Sequence, residues 1–249
     1  MYAQLTTRCN LNCSHCLYSC TSKGEDMSPG VFYRAMMLAA QWGRFLTLGG
    51  GEPTLCRNFK HILSDLRKWL LLGQCGGPEG SFMVTNGTRK TNTFLAIELM
   101  EEMEDMGQPE RFQVVLSAQD GFHDDTRIHP DVYNYFLRRR KEWGHKYREA
   151  IRSVRRLVPT GRALENQNIL SGYFPQGWEK AEPECACEAW HVKPDGTIRA
   201  CGCPEAPVIG DVYFGLRKKE YWSGRCYRET EKEIKEHEQV ETVDATVAT

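Results

Sequence analysis

The amino-acid sequence predicts an α/β fold on parallel strands: a partial (β/α)6-type barrel, complete or one strand short, followed by a small C-terminal cysteine-rich β-hairpin module. Three observations carry that expectation. Strand-like and helix-like runs alternate through about residue 120, and such alternation sets parallel strands side by side with helices packed outside. A group of cysteines follows the first strand directly. A second group brackets a hairpin-like stretch around Pro194-Asp195-Gly196.

Each element has a local reason. Tyr2–Thr7 reads as the first strand and runs straight into the cysteine loop. Ser28-Pro29 supplies an N-cap and a first-turn proline, so Val31–Trp42 reads as an apolar-rich helix stopped by Gly43. Arg44–Leu48 is a short strand ending in glycines. From Asn58 to about Leu72, Phe59, Ile62, Leu63, Leu66, Trp69 and Leu70 recur at three- and four-residue spacing, which predicts an amphipathic helix. A Gly/Pro loop over Gly73–Gly80 leads into the strand Ser81–Thr85, the helix Phe94–Met106 and the strand Phe112–Ser117.

Beyond Asp120 the regularity fades. Pro130 to about Leu157 reads as a long, charged, broken helical stretch, and Val158–Glu184, rich in Pro and Gly, as a boundary. Gly161–Ile169 is the candidate for a last barrel strand if one is present. From about Arg228 the chain turns polar and reads as a frayed helix or disorder. The expected units are residues 1–160, the barrel; 161–227, the cysteine module; and 228–249, the polar tail. There is no internal repeat.

Composition narrows the function. A chain of 249 residues that is 41% hydrophobic can bury a real core. Its 32 Lys and Arg nearly cancel its 33 Asp and Glu, so no global field attracts nucleic acid or an anionic membrane. The local run Arg138-Arg139-Arg140-Lys141 is expected to be a solvated helix face. No apolar run approaches the length of a membrane span, and the start lacks the pattern of a secretory signal. Eleven cysteines without an export signal argue for metal binding in a reducing compartment over a disulfide framework, so the expected location is the cytoplasm.

The first cysteine group is Cys9-Asn10-Leu11-Asn12-Cys13-Ser14-His15-Cys16, spaced C-x3-C-x2-C. Thiolates so placed on one tight loop can converge on three irons of a [4Fe–4S] cluster, leaving the fourth open to a small molecule. A structural cluster takes four cysteines, so the missing fourth points to chemistry at the open iron. A half-built zinc site is the alternative.

This loop resembles the signature of the radical S-adenosylmethionine (SAM) superfamily, and further motifs arrive in that family's order. Leu48-Gly49-Gly50-Gly51-Glu52-Pro53-Thr54 looks like its GGE motif, and Val84-Thr85-Asn86-Gly87 like the TNG-type end of the third strand. Leu116-Ser117-Ala118-Gln119-Asp120-Gly121 with His123-Asp124 and Arg127 is similar to the fourth-strand pattern of the peptide-modifying branch. The resemblance implies that Cys9, Cys13 and Cys16 hold a [4Fe–4S] cluster. It also implies that S-adenosyl-L-methionine lies against Gly50, Gly51 and Glu52, with contacts from His15, Asn86, Ser117 and Arg127. Glycines there let a backbone approach a ligand without Cβ obstruction.

In the second group, Cys185-Ala186-Cys187 and Cys201-Gly202-Cys203 flank a predicted hairpin: His191–Lys193, the Pro194-Asp195-Gly196 turn, and Thr197–Arg199. Such a hairpin would bring both pairs to one end. Cys185, Gly196 and Cys201 also resemble the C-x(9–15)-G-x4-C element of SPASM and twitch domains, which implies an auxiliary [4Fe–4S] cluster; Val208–Val212 is similar to that region too. Thiolates suit zinc equally well, and the resemblance leaves open whether Cys187, Cys203 or Cys226 completes the set. The module is expected to cover the barrel mouth.

The resemblance therefore implies an enzyme that splits SAM reductively and abstracts a hydrogen atom from a peptide or small-molecule substrate, for oxidation, cross-linking or epimerisation. It also implies a one-electron reductant such as flavodoxin or ferredoxin. A sugar or small-metabolite dehydrogenase, a glycyl-radical activating enzyme and a non-catalytic metal-binding module are the other readings. His123, Asp124, Arg162, Glu165 and His191 are candidate polar contacts. Cys56 and Cys75 are expected to be incidental, and Cys20 could face the site.

Overall fold

The structure, a computed structural model, describes residues 1–43, 45–71, 79–143, 150–153, 161–174, 189–221 and 230–235. Its centre is a sheet in which β1 (Tyr2–Thr6), β2 (Leu46–Gly50), β3 (Ser81–Thr85), β4 (Phe112–Ser117) and β5 (Ile151–Arg152) lie in the order β5-β4-β3-β2-β1, every neighbour parallel. Helices α1 (Pro29–Gln41), α2 (Phe59–Leu71), α3 (Lys90–Asp105) and α4 (Pro130–Trp143) connect them in turn. The sheet stays open: on its far side β1 pairs with β6 (His191–Val192), again in parallel. From there β7 (Thr197–Arg199), β8 (Val208–Asp211) and β9 (Gly215–Leu216) continue as antiparallel neighbours. This is the partial barrel expected of the β/α alternation, with strands buried by helices on the outer face.

The elements form for the reasons the residues supply. The Ser28 hydroxyl accepts from the Val31 N–H at 3.2 Å and Pro29 opens α1, which buries Val31, Phe32, Ala35, Met36 and Ala39. Helix α2 buries Phe59, Ile62, Leu63, Leu66 and Leu70, the apolar stripe its spacing predicts, and α3 buries Ala96, Ile97, Met100 and Met103. These faces meet Ala3, Leu5, Leu46, Leu48, Met83, Val114 and Leu116 of the strands in one continuous core.

Several expectations shift. Strand β2 begins at Leu46 and takes in Gly49 and Gly50, because those glycines pair with Gln4 and Thr6 of β1. The long helical reading from Pro130 ends at Trp143, and β5 follows at Ile151–Arg152. Two residues are too few to show alternation; what makes them a strand is the open edge of β4, where Leu116 and Ser117 pair with them. Gly161–Ile169 is not a strand: it holds two short helical turns, α5 (Arg162–Glu165) and α6 (Gln167–Leu170).

The predicted hairpin is present as β6 and β7, closed by the Gly196 N–H donating to the Lys193 carbonyl at 3.0 Å. Its described part extends the sheet beside β1 instead of lying across the barrel mouth, since the Tyr2 N–H donates to the Trp190 carbonyl at 2.8 Å. Trp190, fully buried, stacks edge-on against Trp42 at 5.2 Å and donates to the Tyr221 carbonyl, locking the module to the end of α1. Of the polar tail, Thr230–Lys235 is helical and the rest lies outside the described residues. No helix among the described residues is long and apolar enough to cross a membrane.

Candidate active site

The C-terminal ends of β1 to β4 open into one cavity of about 260 Å³. Parallel strands deliver their following loops to that rim, which is why chemistry collects there. Cys9, Cys13 and Cys16 form one wall, Gly49, Gly50, Gly51 and Glu52 another, and Asn86 and Ser117 come from the ends of β3 and β4. His15 and His123 close the rim.

The glycine wall is dictated by close approach. A Cβ on Gly50, whose φ is +130°, would lie 2.2 Å from the Thr6 carbonyl oxygen, and one on Gly51 2.1 Å from that of Arg8. A Cβ on Gly49 would lie 2.2 Å from the Tyr2 hydroxyl. The backbone donors here are spent: Gly50 N–H on the Tyr2 hydroxyl at 2.5 Å, Gly51 N–H on Thr6 and Glu52 N–H on Arg8, both at 2.8 Å. What this strand end can offer a ligand is therefore acceptor oxygen, the complement of an ammonium group.

Glu52 is buried, and its carboxylate accepts from Thr54 N–H (3.1 Å), the Thr54 hydroxyl (2.5 Å), the Thr85 hydroxyl (2.7 Å) and Asn86 N–H (2.7 Å). Burial still pushes its pKa above the ordinary carboxylate value, against those donors. The side chain thus ties the β2 loop to the end of β3. Asn86 passes the order on: its amide donates to Asn10 at 3.1 Å and stands 3.9 Å from the Cys9 sulfur.

The three site thiols differ electrostatically. Burial pushes Cys9 up and Cys13 up to about 12. Cys16 is held down at about 6, first by a hydrogen bond from the Cys20 thiol, which is itself pushed up by the same bond. Cys20 is buried behind the wall, and its N–H donates to the Cys16 sulfur at 3.4 Å. Among the described residues no three His, Cys, Asp or Glu side chains close on a single-ion site. Three thiols lining one cavity suit a cluster whose irons each take their own thiolate.

On the rim, the His123 Nδ1 and an Asp120 carboxylate oxygen are 2.8 Å apart, and that carboxylate also accepts from the N–H groups of Phe122 and His123. The His15 ring meets that of His123 edge-on at 4.8 Å, and burial holds His15 down at about 4.

Nine of the residues expected at the site line this cavity: Cys9, Cys13, His15, Cys16, Gly50, Gly51, Glu52, Asn86 and Ser117. Arg127 is not brought there; it ends a 3-10 turn over Asp125–Arg127, exposed, because that turn is capped by Asp124 and leads away into α4. Cys201 and Cys203 are buried in the loop after β7, outside the cavity, while Cys185, Cys187, Cys226 and Cys75 lie outside the described residues. Cys56 is buried against Met27, as an incidental residue would be.

Tyr2 was not readable as a site residue. Three adjacent glycines signal a close neighbour, but not which one. His191, fully buried, sits between Tyr2 and Tyr18 at ring separations of 4.9 and 5.1 Å, with neither ring nitrogen hydrogen-bonded.

Comparison with known proteins agrees with this geometry. The model of the Radical SAM superfamily matches residues 4–166. Among solved structures, the chain is similar to BtrN in complex with AdoMet and 2-DOIA, at 13% identity and a TM-score of 0.52, over 92% of this chain and 84% of that one. It is also similar to native anSMEcpe with bound AdoMet and Cp18Cys peptide, at 16% identity and a TM-score of 0.47, over 85% and 76%. The likeness to BtrN is one of fold. A stretch of 69 residues is 38% identical to a probable GTP 3',8-cyclase of Thermoplasma volcanium, covering 27% of this chain and 21% of that protein. The chain thus matches about a fifth of that relative's length.

Proposed function

The chain belongs to the radical SAM superfamily and so is an enzyme that uses a [4Fe–4S] cluster and S-adenosylmethionine; from that premise we propose that it abstracts a hydrogen atom from a peptide or small-molecule substrate and carries it to an oxidised, cross-linked or epimerised product. The observation behind this reading is the convergence of Cys9, Cys13 and Cys16 on one cavity that is also lined by Gly49–Gly51, where Tyr2, Thr6 and Arg8 leave no room for a Cβ. In this reading the three thiolates hold the cluster. When bound, the cluster and SAM supply the electron and the radical that the protein itself lacks.

The chain's own residues bind, orient and exclude water. Gly49 to Gly51 present acceptor oxygen to the ammonium group of SAM, with Tyr2, Thr6 and Arg8 fixing the strand end by taking its donors. Glu52 acts as an acceptor: by taking hydrogen bonds from Thr54, Thr85 and Asn86 it holds the cradle at a set distance from Cys9. His15, Asn86 and Ser117 complete the SAM pocket. His123, backed by Asp120, is in this reading a polar contact for the substrate at the rim, through the ring nitrogen that Asp120 does not hold. An external one-electron donor of the flavodoxin or ferredoxin kind feeds the site.

Residues 1–160 are the catalytic barrel in this reading, 161–227 an auxiliary module and 228–249 a polar tail. The pairing of two soft thiols in one loop, Cys201 and Cys203, with the Cys203 N–H donating to the Cys201 sulfur at 3.3 Å, supports a second metal centre there, completed by other cysteines of the module.

Anaerobic reconstitution with iron and sulfide, then incubation with SAM and dithionite, tests the reading. Bound iron and released 5′-deoxyadenosine are expected, and a Cys9→Ala/Cys13→Ala/Cys16→Ala variant should yield none. A wild-type protein that takes up no iron refutes it. Iron retained by the triple variant supports a second iron–sulfur centre; its complete absence means that the second site holds zinc or no metal.

A further inference from the structure

The cysteine loop has little regular structure of its own. The Cys9 N–H donates to the Thr21 carbonyl at 2.6 Å and closes its base, but the bonds within it are long: Cys16 N–H to Cys13 carbonyl and Ser19 N–H to Cys16 carbonyl, both at 3.3 Å. What organises it comes from the two short helical turns that follow β5. Arg162, 149 residues downstream of Cys13, donates from Nη1 to the Cys13 carbonyl and from Nη2 to the Cys20 carbonyl, each at 2.8 Å. Its backbone N–H donates to the Cys16 carbonyl at 3.0 Å. One residue thus gathers three carbonyls of the cysteine loop, two of them belonging to the site cysteines Cys13 and Cys16.

Two neighbours confirm that this docking is built in. Gly161 takes φ +57°, and a Cβ there would lie 2.2 Å from the Leu17 carbonyl oxygen and 2.8 Å from that of Cys16. Asn166, one turn on, donates its side-chain amide to the Ser14 carbonyl at 3.2 Å. The fork of a guanidinium suits two separate carbonyls, whereas an ammonium is a point charge without that planar reach. The same guanidinium lies within electrostatic reach of Cys9, Cys13 and Cys16. Three thiolates gather negative charge on one side of the cavity, and each electron delivered to a cluster adds more. A fixed cation at that wall favours the reduced state, one of the levers by which a protein sets a cluster's potential.

We propose that Arg162 is the positioning residue of the cysteine loop: it clamps the loop through Cys13, Cys16 and Cys20 and, as a fixed cation, raises the reduction potential of the cluster held there. The inference rests on the assignment of the cluster to Cys9, Cys13 and Cys16.

The test uses the full chain, reconstituted anaerobically, as wild type, Arg162→Lys and Arg162→Gln. Folding of each cluster-free protein is checked by circular dichroism. Iron loss to a chelator reports the clamp, and an electron paramagnetic resonance redox titration reports the charge. In Arg162→Gln the ratio of reduced to oxidised cluster at a fixed potential should fall about tenfold, equivalent to ~59 mV for a one-electron couple. Chelator-driven iron loss should also quicken about tenfold. Arg162→Lys, which keeps the charge and loses the fork, should hold the wild-type potential while losing iron faster. An Arg162→Gln protein with wild-type potential and wild-type iron retention overturns the inference. Should Arg162→Gln fail to fold, Arg162→Lys decides: iron loss at the wild-type rate overturns the proposal and faster loss upholds it. A wild-type protein that takes up no iron brings down the cluster assignment and this inference together; loaded wild type beside an indifferent Arg162→Gln brings down this one alone.

Discussion

His191 makes the fold sensitive to mild acid. The imidazole is fully buried where β6 meets β1, wedged between Tyr2 and Tyr18, and neither of its nitrogens has a hydrogen-bond partner. Burial, reinforced by the charges of Lys193 and Arg199, holds its pKa down at about 3, against 6.5 when unfolded. A base depressed on folding contributes stability that is intact above its unfolded pKa and is lost as pH falls from 6.5 towards 3. Between pH 7 and pH 5 the linkage relation gives a loss of about 2 kcal/mol from this ring alone.

Phenylalanine at this position keeps an aromatic ring between the two tyrosines and removes the titration. Urea unfolding of cluster-free His191→Phe and wild type should therefore diverge in pH dependence, the variant losing about 2 kcal/mol less between pH 7 and pH 5. His15, also depressed, titrates alike in both proteins and cancels in the difference. At pH 7 the two should lie within about 1.5 kcal/mol, because the variant trades two unpaired nitrogens for slight overpacking beside Gly202. A variant that weakens with acid as steeply as wild type refutes the reasoning.

Gly50→Ala should lose at least about 2 kcal/mol by urea unfolding, since the new Cβ meets the Thr6 carbonyl at 2.2 Å with φ at +130°; SAM-dependent 5′-deoxyadenosine release should vanish with it. Glu52→Ala strands the N–H groups of Thr54 and Asn86, at about 1–3 kcal/mol each. Its unfolding midpoint should drop well below that of Glu52→Gln, which keeps one acceptor oxygen. Tyr2→Phe removes the acceptor of the Gly50 N–H and should weaken SAM binding about fivefold by calorimetric titration, the equivalent of about 1 kcal/mol.

Much of this molecule is legible locally. Ser28-Pro29 sets the start of α1, and the stripe from Phe59 to Leu70 sets α2, because capping and 3.6-residue periodicity act within a turn or two of chain. The C-x3-C-x2-C spacing brings Cys9, Cys13 and Cys16 to one cavity, since a short loop leaving a strand has nowhere else to present them. Arg127 shows where such reading ends: a motif resemblance carried it to the site, while the turn capped by Asp124 points its segment elsewhere. Strand β5 was hidden because two residues carry no pattern, and its pairing partner is an edge contributed by β4.

The order of residues along the chain therefore settled the alternation of strands and helices and the spacing of the sulfur-bearing loop, because periodicity, capping and motif spacing are written among near neighbours. Where the hairpin joins the sheet, why three glycines are obligatory, and that Arg162 grips a loop 149 residues away were decided only when distant segments packed. Such contacts depend on which surfaces face each other in three dimensions, and no period or spacing in a one-dimensional string records that.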